Sequence, residues 1–137
     1  MYNTRKGVPI FTIVAILFCV GFLTAFLPMG KKSAIYEKIT AEEAKRIMDS
    51  GKPFVLLDVR NENEYKTQRI DGAILIPHDK IKEEATEKLP NKDETILVYC
   101  RSGRRSAIAA NELINMGYKN VYDFGGIIDW TYETIGD

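Results

Sequence analysis

Cys100 stands at the end of an apolar run, Thr95-Ile96-Leu97-Val98-Tyr99, and is followed by Arg101-Ser102-Gly103-Arg104-Arg105. A helical pattern is expected to begin at Ser106. This order of residue types predicts a strand, a tight loop and a helix N-terminus, with a thiol at the strand's end. Backbone N–H groups of such a loop can converge on one point, and the helix dipole adds partial positive charge there. Arg101, Arg104 and Arg105 bring three formal charges to the same place. A thiol in that field has a lowered pKa, and the thiolate is the nucleophile. The same cradle suits a small anion. A lone buried cysteine is more often an inert apolar residue, but three arginines and a glycine beside it have no packing rationale. Cys100 is therefore the expected catalytic residue, with Arg101, Ser102, Gly103, Arg104 and Arg105 as the substrate-binding loop.

Elements that could position this loop are legible along the chain. Thr40 and Glu43 have capping-box spacing, and Ala44, Ile47 and Met48 form one apolar helix face that Gly51 closes. Residues 33–38 read as a polar connector ahead of it. Phe54 to Val59 is a continuous apolar strand carrying one acid, Asp58. Asn61 with Glu64 suggests a short helix, and Ala73 to Ile76 a strand stopped by Pro77. Ile81, Ala85 and Leu89 mark another helix face, as do Ala109, Leu113 and Met116 after the loop. Val121 to Phe124 is the last strand, with a Gly125-Gly126 turn and a short helix containing Trp130 expected after it. Strands that are apolar throughout and alternate with helices imply an α/β fold, a mostly parallel sheet covered on both faces. Ligands bind such sheets beyond the carboxyl ends of the strands, where Cys100 lies.

The chain has 137 residues with 19 basic and 19 acidic side chains. Arg5, Lys6, Lys31 and Lys32 lie in the first 32 residues, which hold no acid, so the remainder is net acidic. Nothing in this balance points to nucleic acid. Ile10 to Leu27 is an apolar run of 18 residues broken only by Thr12, Gly21 and Thr24. As a helix it would span roughly 27 Å, close to a bilayer's hydrocarbon core. Residues 1–32 are expected to form a membrane anchor with one transmembrane helix, and residues 33–137 the folded domain. A cleavable signal peptide is the competing reading, but no small-residue cleavage site follows the run. Basic residues flank the run on both sides, and the α-amino group tips the domain toward the extracytoplasmic side. Cys19 lies within the run, so an intradomain disulfide with Cys100 is not expected.

The residues resemble a known family. Cys100-Arg101-Ser102-Gly103-Arg104-Arg105-Ser106 is similar to the active-site loop of rhodanese-type sulfurtransferases. The resemblance extends to Leu57-Asp58-Val59-Arg60 with Glu64-Tyr65, to Ile70 to Ile74 with Ile76-Pro77, and to Gly125-Gly126 with Trp130. It spans roughly residues 36 to 135. Arg69 and Asp71 stand where the family often has histidine and proline. The resemblance implies a three-layer rhodanese-like fold and a persulfide on Cys100, loaded from a small anionic sulfur donor such as thiosulfate. The persulfide would pass to cyanide or to a thiol acceptor, such as a thioredoxin-like protein or a low-molecular-weight thiol. No cofactor is implied, no metal-ligand spacing is present, and a monomer is expected. Asp58 and Arg60 are expected to support the loop, His78 to be solvated, and Trp130 to belong to the core. The rival enzyme reading is a cysteine phosphatase or arsenate reductase of the related fold. Those loops place five residues between cysteine and arginine, whereas four separate Cys100 from Arg105. A membrane-tethered, non-catalytic redox or sulfide-relay module is the third reading.

Overall fold

The structure, a computed structural model, describes residues 33–137 together with Gly30. Five strands form one parallel sheet: β1 (Ile35–Lys38), β2 (Val55–Asp58), β3 (Ile74–Leu75), β4 (Thr95–Cys100) and β5 (Asn120–Gly126). Their order is β1-β5-β4-β2-β3, which places β4 at the centre. Helices α1 (Ala41–Asp49), α2 (Glu62–Thr67), α3 (Ile81–Lys88) and α4 (Arg104–Asn115) connect them.

The side-chain alternation of β4 divides the core into two layers. Ile96, Val98 and Cys100 pack with Ile81, Ala85, Ala109 and Leu113 of α3 and α4. Leu97 and Tyr99 pack on the other face with Ala44 of α1, Phe124 and Trp130. Both faces of the central strand are thus covered, which is why β2 and β4 read as unbroken apolar runs. The capping box expected at Thr40 forms, its Oγ1 accepting from the Glu43 N–H, and the short helix expected at Asn61 opens with a second one, Asn61 Oδ1 accepting from the Glu64 N–H.

Four elements differ from expectation. The connector over residues 33–38 contains β1, an edge strand whose outer half is exposed, so its polar Glu37 and Lys38 concealed it. β5 continues through Gly125 and Gly126 instead of turning there, because Cys100 pairs with Gly126 across a register shift. The helix after β4 begins at Arg104, two residues before Ser106, since Gly103 already serves as its N-cap. The terminal helix is one 3-10 turn, Ile127–Asp129, and Trp130 follows it as a buried residue. His78 is half-buried rather than solvated: it opens a 3-10 turn, and its N–H bonds the Val59 carbonyl at 3.0 Å.

Among the described residues, no helix is long and apolar enough to cross a membrane. The anchor expected over residues 10–27 lies outside the described residues.

Candidate active site

Cys100 ends the central strand, with its side chain on the α4 side of the sheet and only 1% of its surface exposed. The loop after it is short because α4 starts at once. Gly103 makes the reversal with φ +107°, a left-handed conformation that glycine adopts without strain. Its N–H donates to Cys100 Sγ at 3.0 Å. Ser106, fully buried in the first turns of α4, places its hydroxyl 3.0 Å from the Gly103 carbonyl and beside the sulfur, with one proton to give to either.

The loop is held from below by β5. A Cβ at Gly126 would lie 2.1 Å from the Arg101 carbonyl oxygen, so no other residue fits without moving the loop. The Ile128 N–H donates to that same carbonyl at 3.3 Å. Arg101 O therefore points down into the scaffold, and the loop's N–H groups are left to converge on the sulfur.

The electrostatic result is a stabilised thiolate. Burial pushes the Cys100 thiol up. The Ser106 N–H and hydroxyl, together with the N–H groups of Gly103 and Ser102, outweigh burial and hold its pKa below the ordinary value. These donors sit at the N-terminus of a 12-residue helix, where the dipole adds in the same sense.

The three arginines separate into two kinds. Arg101 and Arg104 are exposed at the mouth of the loop and enter no ion pair among the described residues. Arg105 instead turns back to α2, where its Nη1 and Nη2 donate to the two carboxylate oxygens of Glu64 at 2.7 and 2.8 Å. The Arg105 guanidinium holds the Glu64 carboxyl down at about 2, below the ordinary carboxylate range. One N–H on each Arg105 terminal nitrogen is thereby committed to Glu64, which draws the guanidinium toward α2 while three of its five donors stay unassigned. Glu64 also accepts from the Asn61 N–H at 3.1 Å, so one carboxylate joins the α2 cap to the active loop. In the sequence Glu64 marks a short helix with Asn61 and part of the family resemblance; nothing in its local spacing signals a partner 41 residues away.

Asp58 and Arg60, at the end of neighbouring β2, form a buried pair with Arg60 Nε 2.9 Å from Asp58 Oδ1. Arg60 also donates to the Gln68 carbonyl and lies over the Tyr99 ring. Their place is beneath the site, beside but outside the loop. Two recesses flank the loop. The larger, about 580 Å³, lies toward α1 and is lined by Thr40, Glu42, Gly103, Asp123 and Asp129 among others. A smaller one, about 440 Å³, lies toward α2 and is lined by Asn63, Glu64, Gln68, Arg101 and Ile128. Cys100 lines neither, so cavity size is a poor guide here and the amide geometry marks the site. No group of three or more metal-ligating side chains occurs among the described residues.

A parallel sheet with a cysteine in an amide-lined loop at the end of its central strand is compatible with several families. A profile of the Rhodanese-like domain matches residues 40–133. The chain belongs to the rhodanese-like family. As a rhodanese-like domain it is 40% identical over 73 residues to the thiosulfate sulfurtransferase PspE of Escherichia coli, covering 53% of this chain and 70% of that one. It is 36% identical over 98 residues to the putative sulfur carrier protein YrkF of Bacillus subtilis, covering 71% of this chain but 52% of YrkF. Among solved structures it resembles a rhodanese with anions from E. coli, with 34% identity, a TM-score of 0.59, and coverage of 62% and 100%. A rhodanese-like domain protein from Staphylococcus aureus aligns with 32% identity, a TM-score of 0.63, and coverage of 74% and 98%.

Proposed function

We propose that this rhodanese-like domain is a sulfurtransferase that carries a sulfane sulfur on Cys100. The observation that carries the reading is the Cys100 sulfur set against the N–H groups of the loop with its pKa lowered. The naming of PspE as a thiosulfate sulfurtransferase supports thiosulfate as the donor class. In the first half-reaction the Cys100 thiolate attacks the outer sulfur of thiosulfate. A new S–S bond forms, the old S–S bond breaks, and sulfite leaves with its electron pair. Loop N–H groups stabilise the anionic persulfide, while Arg101 and Arg104 draw in the dianion and the departing sulfite. In the second half-reaction an acceptor nucleophile takes the outer sulfur and returns the thiolate. A covalent carrier between two substrates predicts ping-pong kinetics.

Intact mass of the full chain tests this directly. Thiosulfate should add about 32 Da, one sulfur atom, on Cys100, and cyanide should remove it. Absence of the adduct, with turnover of an aryl phosphate instead, would transfer the chain to the phosphatase reading.

Residues 10–27 remain proposed as a single-pass anchor with the catalytic domain on the extracytoplasmic side. Their apolar length and basic flanks support this. Recovery of the full chain in the soluble fraction of a lysate would overturn it.

A further inference from the structure

The surface around the loop is asymmetric in charge and polarity. On the α2 side, Arg101 projects at the rim, and Glu64 is neutralised by Arg105. Ile128 stands next to Arg101 with 64% of its surface exposed, unusual for a large apolar side chain. On α4, Arg104 and Ile108, the latter 46% exposed, are four residues apart and so share one stripe. Each exposed cation next to the cysteine loop thus has an exposed isoleucine near it: Ile128 beside Arg101, and Ile108 one turn along α4 from Arg104. The recess on the α1 side carries Glu42, Asp123 and Asp129 against the single cation Lys38. The rest of the domain is net acidic.

We propose that the acceptor is a thiol borne on an acidic, apolar-edged polypeptide segment that crosses Arg101, Arg104 and Ile128. This deepens the sulfur-transfer reading and rests on it. A small thiol or cyanide needs only the loop; it gives exposed Ile128 and Ile108 nothing to cover. A polypeptide carrying carboxylates and a leucine-sized side chain meets both the cations and the isoleucines. The acidic α1-side recess repels it and steers it to the α2 side. Chemistry balances without a further reactant: the acceptor thiolate bonds to the outer sulfur, the Cys100 Sγ–S bond breaks, and its electron pair returns to Cys100. Because sulfite has left before the acceptor lands, the same two arginines serve both half-reactions in turn.

The test uses full-length chain loaded with thiosulfate, freed of excess donor, and shown by mass to carry the extra sulfur. It is then discharged by two cysteine pentapeptides that differ only in glutamate or lysine flanks, each with one leucine. Rates are compared per thiolate. The acidic peptide should discharge the persulfide roughly tenfold or more faster at low ionic strength, and the advantage should fade as salt screens it. Ile128→Ser should reduce the acidic peptide's rate about three- to tenfold while the lysine peptide and cyanide change less. Equal rates for the two peptides, or a faster lysine peptide, on a fully loaded enzyme would overturn the proposal while leaving sulfur transfer standing. Failure to load would overturn the sulfur-transfer reading, and the acceptor proposal with it.

Discussion

β2 and β4 are neighbours, parallel and in register, with Asp58 beside Tyr99. At the same edge of the sheet β2 ends in Asp58 and β4 in Cys100, and the two ends have opposite chemistry. At the end of β2, an acid and a base two residues apart satisfy one another, and Asp58 Oδ1 also takes the Arg60 N–H at 2.9 Å. Every polar demand is met locally, and the end is inert. At the end of β4 the chain places a sulfur where the donors converge but supplies no counter-cation touching it. Arg105, one of the three cations that follow Cys100, is drawn off by Glu64. Reactivity at this edge comes from what is left uncompensated, and stability from what is closed.

The largest effect should come from removing the open end. Cys100→Ser should lower sulfur transfer at least ~1000-fold and eliminate the mass adduct. Its melting temperature should stay within a few degrees of wild type, because the replacement is nearly isosteric. An adduct that survives would place the carrier elsewhere.

Breaking the closed end should do the reverse. Asp58→Asn leaves the buried Arg60 guanidinium without its carboxylate, a loss of about 3–5 kcal/mol by analogy with other buried pairs. Urea titration should show the drop, whereas sulfur loading per folded molecule should persist. Unchanged stability would mean that Gln68 and Tyr99 alone hold Arg60.

Glu64→Gln joins the two ends of the comparison, since it releases Arg105 toward the mouth. Loading by thiosulfate should change by roughly three- to tenfold, with the effect in KM more than in kcat if Arg105 then meets the anion. The variant also tests the acid response. Glu64 has a folded-state pKa of about 2, below its unfolded value, so its stabilisation is complete above the ordinary carboxylate range. That stabilisation is lost as pH falls toward 2. Wild type should therefore lose its stability advantage over the glutamine variant across that acid window; a constant advantage would show that the pair is not the cause.

The smallest effect concerns the sulfur's own titration. Persulfide formation should rise with pH to a plateau whose midpoint lies below the ~8.5 of an ordinary thiol. Ser106→Ala removes the hydroxyl donor and should move that midpoint upward, by less than the loop N–H groups retain. A midpoint that does not move would assign the thiolate's stabilisation to the backbone alone.

The parts of this architecture with strong local periodicity were legible in the sequence. The apolar runs of β2 and β4, the Thr40–Glu43 capping box, and the helix faces at Ile81-Ala85-Leu89 and Ala109-Leu113 carry their own signal. Cys100 with its loop was legible too, because a thiol among arginines and glycine has few structural reasons to exist. What could not be read depends on partners far away in the chain. β1 exists because β5 is there to pair with it, and its Glu37 and Lys38 are both exposed. Gly125 and Gly126 resembled a turn, but the close approach of Arg101 makes the second a spacer inside a strand. The arginines looked equivalent in sequence; only the approach of α2 separates Arg105 from Arg101 and Arg104.

The order in which the site is built has a consequence for biosynthesis. Cys100 is translated well before the residues that shape its loop: Gly125, Gly126 and Ile128 lie a full helix downstream. β5 is also the sole partner of β1 and one of the two flanking β4. Until β5 is made, β1 has no strand to pair with and the loop after Cys100 lacks its support from Gly126 and Ile128. A chain interrupted between residues 100 and 126 would keep the thiol and lack the strand that holds the Arg101 carbonyl from below. Full shaping of the loop around Cys100 is thus a property of the finished chain, completed only when its last strand is in place.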